Sequence, residues 1–263
     1  MKWELLKRLR WRSGKSLLPL CAGSGLARVP GGFWVIADDM NHVVHVPDGA
    51  GPGRGRRLFP GVLPSDAASR KRVKKDLESL IDLGAGKLVA FPSGSKDRRC
   101  RGSLITLSSS GAFKKAVEIN FRSLMTILGD VVPDLNIEGG FVRGKRLILL
   151  QRGNGRAGFS GVVKMRLSAF LRGMKKGSWK ESGLGLKIKR VRLGSWGKVP
   201  LTFTDGFFLD GRAYFSAAAE AGKDTYLDGK VSGSVIGSMK KGGKPTVLAK
   251  LAGRRSRGSR RDA

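Results

Sequence analysis

Three acidic residues recur at one place in a repeating pattern: Glu78 in Glu78-Ser79-Leu80, Glu138 in Glu138-Gly139-Gly140 and Asp205 in Asp205-Gly206-Phe207. Ser24-Gly25-Leu26 is an uncharged fourth copy. Carboxylates gathered into one confined space repel unless a proton, a basic group or a cation joins them. Ca²⁺ or Mg²⁺ takes such an oxygen set, and Asp39, Gln151 or Asn154 would add further oxygen ligands. The same cluster could hold a water for general-base attack, making the chain a metal-assisted hydrolase. The opposite reading is structural: each carboxylate accepts backbone N–H bonds in its own unit or pairs with Arg152, Lys74 or Arg70. Residue types alone leave both open.

A second group could recognise anions. Ser93, Ser95, Arg98, Arg99 and Arg101 follow an apolar strand segment, and with Arg152 they could receive a phosphate or carboxylate, although solvation of a loop accounts for the same composition. Glu220 ends its strand as Asp39 and Asn154 end theirs. The ligand-binding candidates are therefore Asp39, Ser95, Gln151, Arg152, Asn154 and Glu220, and the metal-ligating candidates Glu78, Glu138 and Asp205. Other motifs fail on context. Gly153-Asn154-Gly155-Arg156-Ala157-Gly158 fits G-x-G-x-x-G, but Val162 to Leu167 continues as strand rather than as a phosphate-cradling helix. His42 and His45 are three apart on an expected strand, hence on opposite faces. There is no G-x-S-x-G elbow, P-loop or H-E-x-x-H.

The elements that must position these residues repeat with them. After each opening comes a glycine-containing turn and an apolar strand: Phe33 to Ile36, Lys87 to Phe91, Arg146 to Leu150, Arg212 to Phe215. A third strand is expected over Asn41 to Val46, Gly102 to Leu107, Gly161 to Leu167 and Gly233 to Met239. The fourth is expected over Arg57 to Phe59, Phe113 to Phe121, Leu186 to Leu193 and Pro245 to Leu251. Gly25, Ser79, Gly139 and Gly206 stand 54, 60 and 67 residues apart, longer than compact blade repeats, so segments 62–77 and 168–183 read as inserted loops. Asp66 to Leu83 could include a helix with Val73, Leu77 and Leu80 on one face.

Four strands per unit without an alternating long helix predict an all-β fold, a β-propeller of four-stranded blades. Its rival, a β-sandwich, would not require the same polar opening in every unit. First strands of blades line a central channel, so the openings would bring Glu78, Glu138 and Asp205 to one axis. A fifth opening at Lys250-Leu251-Ala252-Gly253 is followed by a basic low-complexity tail. The expectation is a five-bladed plan whose last blade is largely missing, with one propeller domain over 1–253 and a disordered tail over 254–263. Within residues 1–16, Trp3 to Trp11 reads either as the outer strand closing the last blade or as an amphipathic helix with Leu5, Leu6 and Leu9 together.

Composition bounds the partners. The chain has 51 Lys and Arg against 20 Asp and Glu, a formal charge of +31, which favours polyanions through counterion release. The excess is dispersed and no RNP, zinc-finger or heptad pattern accompanies it, so nucleic-acid binding is not favoured. Cys21 and Cys100 are too few for a disulfide framework, which suits a reducing, cytoplasmic setting. Leu17 to Cys21 is shorter than a signal-peptide core, and no run reaches the length of a membrane span.

Several ordered blocks between residues 17 and 253 resemble an uncharacterised bacterial family of phytase-like or esterase-like propellers. They are Ser24-Gly25-Leu26 through Trp34 to His42, Leu58-Phe59-Pro60-Gly61 with Asp76 to Leu80, Leu135 to Gly139 with Gln151 to Gly155, and Phe203-Thr204-Asp205 with Ala218-Ala219-Glu220. The resemblance implies the fold more than an activity. The resulting expectation is a propeller whose polar funnel binds a small polar molecule or a divalent metal, with hydrolysis of an ester or phosphate as an extension. The alternative is a non-enzymatic scaffold that meets acidic partners through its basic surface.

Overall fold

The computed structural model describes residues 7–221, 230–240 and 243–252. It opens with a hairpin, β1 (Arg10–Ser13) and β2 (Ser16–Pro19), and continues into the first blade: β3 (Gly23–Val29), β4 (Gly32–Ala37), β5 (His42–Pro47) and β6 (Gly53–Arg57). After helix α1 (Ala67–Val73) comes the second blade: β7 (Leu77–Gly84), β8 (Lys87–Pro92), β9 (Arg101–Leu107) and β10 (Phe113–Asn120). Helix α2 (Arg122–Gly129) leads to β11 (Ile137–Arg143), β12 (Arg146–Gln151) and β13 (Gly161–Arg166). Helices α3 (Leu167–Lys176) and α4 (Glu181–Leu184) precede that blade's outer strand, β14 (Lys187–Arg190). The fourth blade is β15 (Ser195–Trp196), β16 (Val199–Leu209), β17 (Arg212–Ala221), β18 (Lys230–Met239) and β19 (Thr246–Ala252). Within each blade successive strands pair antiparallel, and the four sheets stand in a ring, a four-bladed β-propeller.

The hairpin turns explain part of this regularity. Ala85-Gly86 and Asp210-Gly211 each place two residues at positive φ between paired strand ends, the backbone of a two-residue type I′ turn that matches strand twist. The inner strands β3, β7, β11 and β16 carry a second repeated device. Each slips register by one residue near its start, between Gly23 and Gly25, Leu77 and Ser79, Ile137 and Gly139, and Phe203 and Asp205. Each slip is a β-bulge, which leaves one residue outside the ladder and re-aims its side chain. The bulged residues are Ser24, Glu78, Glu138 and Thr204.

Neighbouring inner strands meet backbone to backbone just after the bulge. A Cβ on Gly25 would lie 2.5 Å from the Leu80 nitrogen, and one on Gly139 would lie 2.9 Å from Asp205 Cα. Glycine at these two positions allows β3 to close on β7 and β11 on β16. The core lies between blades. Trp34, Ile36, Leu77 and Leu88 fill the first gap. Phe91, Phe121, Phe170 and Trp179, with the buried sides of α2 and α3, fill the second. Phe141, Leu150, Phe203 and Phe215 line the third.

Several expectations change. The helix expected within Asp66 to Leu83 ends at Val73. Asp66 caps it by accepting from the Ser69 N–H, and the left-handed Asp76 (φ 58°) turns the chain so that Leu77 and Leu80 fall on β7. The insert at 168–183 contains α3 rather than loop alone. Lys250 to Ala252, expected to open a fifth unit, form the end of β19 and pair with β18, so the described ring has four blades. Arg10 to Ser13 is a strand, but it runs parallel to β6 on the rim of the first blade, burying Trp11 beside His42, instead of closing the last blade. Met1 to Leu6 and the tail 254–263 lie outside the described residues. Among the described residues, no helix is long and apolar enough to cross a membrane.

Candidate functional site

The bulges build the site. Glu78, Glu138, Thr204 and Asp205 line one axial cavity of about 500 Å³, together with Ser24, Asp38 and Ser216. Register shows why Asp205 differs from the other two carboxylates. Glu78 and Glu138 are bulged residues, whereas the bulged residue of the fourth blade is Thr204, and Asp205 is back in the ladder opposite Ser216. Thr204 shares a hydrogen bond of 2.8 Å with Ser216, and Asp205 accepts one of 2.7 Å from the Gly206 N–H.

The three carboxylates sit in unlike surroundings. Glu138 is buried, accepts from Arg152 at 2.9 Å and from Asn136 Nδ2 at 3.0 Å. Arg152 also pairs with Glu220, so one guanidinium joins two blades. Its Nε, buried as well, finds no acceptor among the described residues. Glu78 is half-buried and accepts no hydrogen bond from any described residue. Its cavity neighbours are negative. Ligand oxygens of Glu78, Asp38 and Asp76 all lie within 4.8 Å of one another.

Two cations balance part of that charge. Lys74 bonds Asp38 and lies 3.1 Å from Asp76. Asp76 is also held by Arg99 at 2.8 Å and by the Ser93 hydroxyl at 2.6 Å, and Ser93 shares a bond of 2.9 Å with Ser95, which accepts from Arg99. Burial and then the repulsion of Glu138, Asp76 and Asp38 push the Glu78 carboxyl well above the ordinary range. Burial raises Glu138 to about 7 against the pull of Arg152. Burial also raises Asp205 to about 7, against the Gly206 N–H and with added repulsion from Glu138. Asp38 is raised by burial, with Lys74 opposing. Burial works to lower Lys74, but Asp76 and Asp38 outweigh it and hold the ammonium above its usual value. Partial occupation by protons is what an under-compensated acidic pocket does when no other cation is present.

The remaining candidates fall around this funnel. Arg152 and Glu220 form its bridge, and Asn154 accepts from Asn136 at 3.3 Å. Gln151 is fully buried and braces the chain before β11, accepting from the Asn136 N–H and donating to the Asp134 carbonyl. Asp39 turns away towards Arg70 at 3.9 Å; its neighbour Asp38 lines the cavity. Asp38, Asp76, Lys74, Asn136 and Thr204 were not singled out as ligands from sequence. A signal existed for Asp38: it is the first residue after β4, as Ser93 is after β8 and Arg152 after β12. Asp76 and Asn136 likewise each stand one residue before an inner strand. An acidic group of three such residues could bind a metal ion, and the ion's identity is a separate question.

Residues 19–260 match the DUF6929 family of unknown function. The chain belongs to that family. No curated protein matches it. Among solved structures it is similar to the hemopexin fold protein CP4 from cow pea, with 13% identity and a TM-score of 0.45 over 88% of this chain and 93% of that one. It is also similar to a GH43 endo-arabinanase from Bacillus licheniformis, with 13% identity and a TM-score of 0.36 over 86% and 78%. A third is apo AztD from Citrobacter koseri, with 13% identity and a TM-score of 0.32 over 90% of this chain and 49% of that one, so this chain spans about half of AztD. Membership of the family assigns no activity, and the funnel's own chemistry has to supply one.

Proposed function

We propose that the axial funnel binds a hard divalent cation, Ca²⁺ or Mg²⁺, and through it a small polar ligand. The observation that carries this is Glu78: a half-buried carboxylate with no hydrogen-bond partner among the described residues, its oxygen grouped with those of Asp38 and Asp76. A cation there would replace the proton that burial and repulsion now favour, and Glu138 and Asp205 line the same cavity to extend the oxygen set. Ca²⁺ takes 6–8 oxygens and Mg²⁺ keeps several waters, so the three carboxylates of the group, with Glu138 and Asp205 beside them, leave coordination positions for ligand or solvent. Lys74 occupies part of this charge well, and its flexible stem lets the ammonium withdraw as the ion arrives. Arg152, with a spare Nε donor, would orient the polar ligand, with Asn154 and Ser95 as further polar candidates. Carboxyls that titrate near 7 are matched to general acid–base work, which makes hydrolysis of an ester or phosphate the extension of the same reading. The unpaired cysteines, exposed Cys21 and buried Cys100, fit a cytoplasmic setting for it.

Calorimetric titration with Ca²⁺ and with Mg²⁺, on the wild type and on Glu78→Gln, tests the proposal. Saturable heat in the wild type that disappears in Glu78→Gln supports it; equal heats in the two proteins would sink it. Turnover of p-nitrophenyl esters and phosphates with and without the cation tests the hydrolytic extension separately.

A further inference from the structure

A second cavity, of about 530 Å³, lies between the third and fourth blades, away from the axis. It exists because one side chain is small. Counted from the residue paired just before each bulge, Leu88, Leu147 and Ala213 occupy the same position on the second strands of blades two, three and four. Leu88 and Leu147 are buried against the preceding blade. Ala213 faces the preceding blade in the same way and leaves a hole over Ile148, Leu150 and Val162. The volume is within the range of small-molecule pockets.

The rim has a different chemistry from the floor. Seven of the eighteen lining residues are Lys or Arg and none is acidic, whereas Lys and Arg make up 51 of 263 residues in the chain. Lys189 and Arg192 are exposed at the edge, beside buried Val191 and Leu193. We propose that this gap binds an amphipathic organic anion, an apolar chain or ring carrying one carboxylate or phosphate. The body lies in the space that Ala213 leaves, and the head meets the basic rim. An apolar floor alone would accept any hydrocarbon, and a basic rim alone any anion; their adjacency selects molecules that are both. The site shares no lining residue with the axial funnel, so it stands or falls independently of the cation proposal.

The test is calorimetry with decanoate, decyl phosphate, decyltrimethylammonium, decanol and inorganic phosphate, each below its micellar concentration. One or both amphipathic anions should bind at least tenfold more tightly than the cation, the alcohol or bare phosphate, and the stronger of the two identifies the head group. Ala213→Leu fills the hole and should weaken the anion at least tenfold while the melting temperature holds or rises. Lys189→Gln/Arg192→Gln, changed only at exposed positions, should weaken the anions and leave decanol unchanged. Binding of decyltrimethylammonium as tight as decanoate, or anion affinity unaltered in both variants, would overturn the assignment. Inorganic phosphate binding as tightly as decyl phosphate would overturn it too, since the apolar floor would then contribute nothing.

Discussion

Glu78 and Glu138 occupy the same bulge of adjacent inner strands, yet only Glu138 has a cation in contact, the Arg152 guanidinium at 2.9 Å. The difference divides the funnel into a part stabilised by its own ion pairs and a part left with excess negative charge. In a chain of formal charge +31, this is a local reversal of sign.

Glu78→Gln should therefore stabilise the metal-free protein. At pH 8 neither burial nor the repulsion from Glu138, Asp76 and Asp38 then acts on an ionised carboxyl at this position, and a gain in stability is expected. At pH 5 the gain should be smaller, because the native carboxyl, raised well above the ordinary range, is more fully protonated there. Urea unfolding of both proteins at the two pH values measures this, and a loss of stability at pH 8 would contradict it.

Arg152→Met should have the opposite effect. It leaves Glu138 and Glu220 buried without their shared guanidinium, a kind of change that costs about 3–5 kcal/mol. Combining it with Glu138→Gln should recover part of the loss, because one of the two carboxylates that Arg152 compensates becomes neutral. A double-mutant cycle in chemical denaturation reads the coupling.

The pH dependence has a defined sign. Glu138 and Asp205 titrate at about 7 in the folded protein, against about 4.3 and 3.9 in an unfolded chain. Between those values the native state holds more protons, so the stability these groups contribute is complete below about pH 4 and is lost as pH rises through 7. The difference in stability between wild type and Glu138→Gln/Asp205→Asn should follow that slope and flatten above pH 8. Ca²⁺ competes with the same protons, so its affinity should rise from pH 5 to 8 with measurable proton release in calorimetry.

Gly25→Ala tests the close approach of the inner strands. The added Cβ would meet the Leu80 backbone nitrogen at 2.5 Å, and backbone cannot rotate aside as a side chain can. A destabilisation of about 1–3 kcal/mol is expected from overpacking. Cation binding should weaken as well, because Leu80 follows Glu78 on the same strand.

The repeat was legible because hairpin turns and apolar strands leave a pattern of glycine and hydrophobic runs; Lys87 to Phe91 and Arg146 to Leu150 are nearly the observed β8 and β12. The bulge was not. Asp205 matched Glu78 by its following small residue, but a ladder slip of one position leaves no mark in composition, and the matching residue is Thr204. Sequence does not separate Asp38 from Asp39 for a related reason: two adjacent acids differ only in which way the chain turns after β4. Asp76 depended on a left-handed backbone that a non-glycine residue seldom adopts, and the parallel seating of β1 against β6 depended on tertiary contact alone.

The bulge that every inner strand carries at the axis has a consequence for how such rings diversify. Within the described residues, the strands of each sheet come from one continuous stretch of sequence, so gaining or losing a unit by duplication or deletion would break no strand pairing. Each such event would add or remove one bulge residue, and the polar side chains beside it, at the axis. Serine, glutamate, glutamate and threonine at these positions are thus a four-letter word written around the channel, and exchanging a neutral letter for an acidic one resets the charge of the pore.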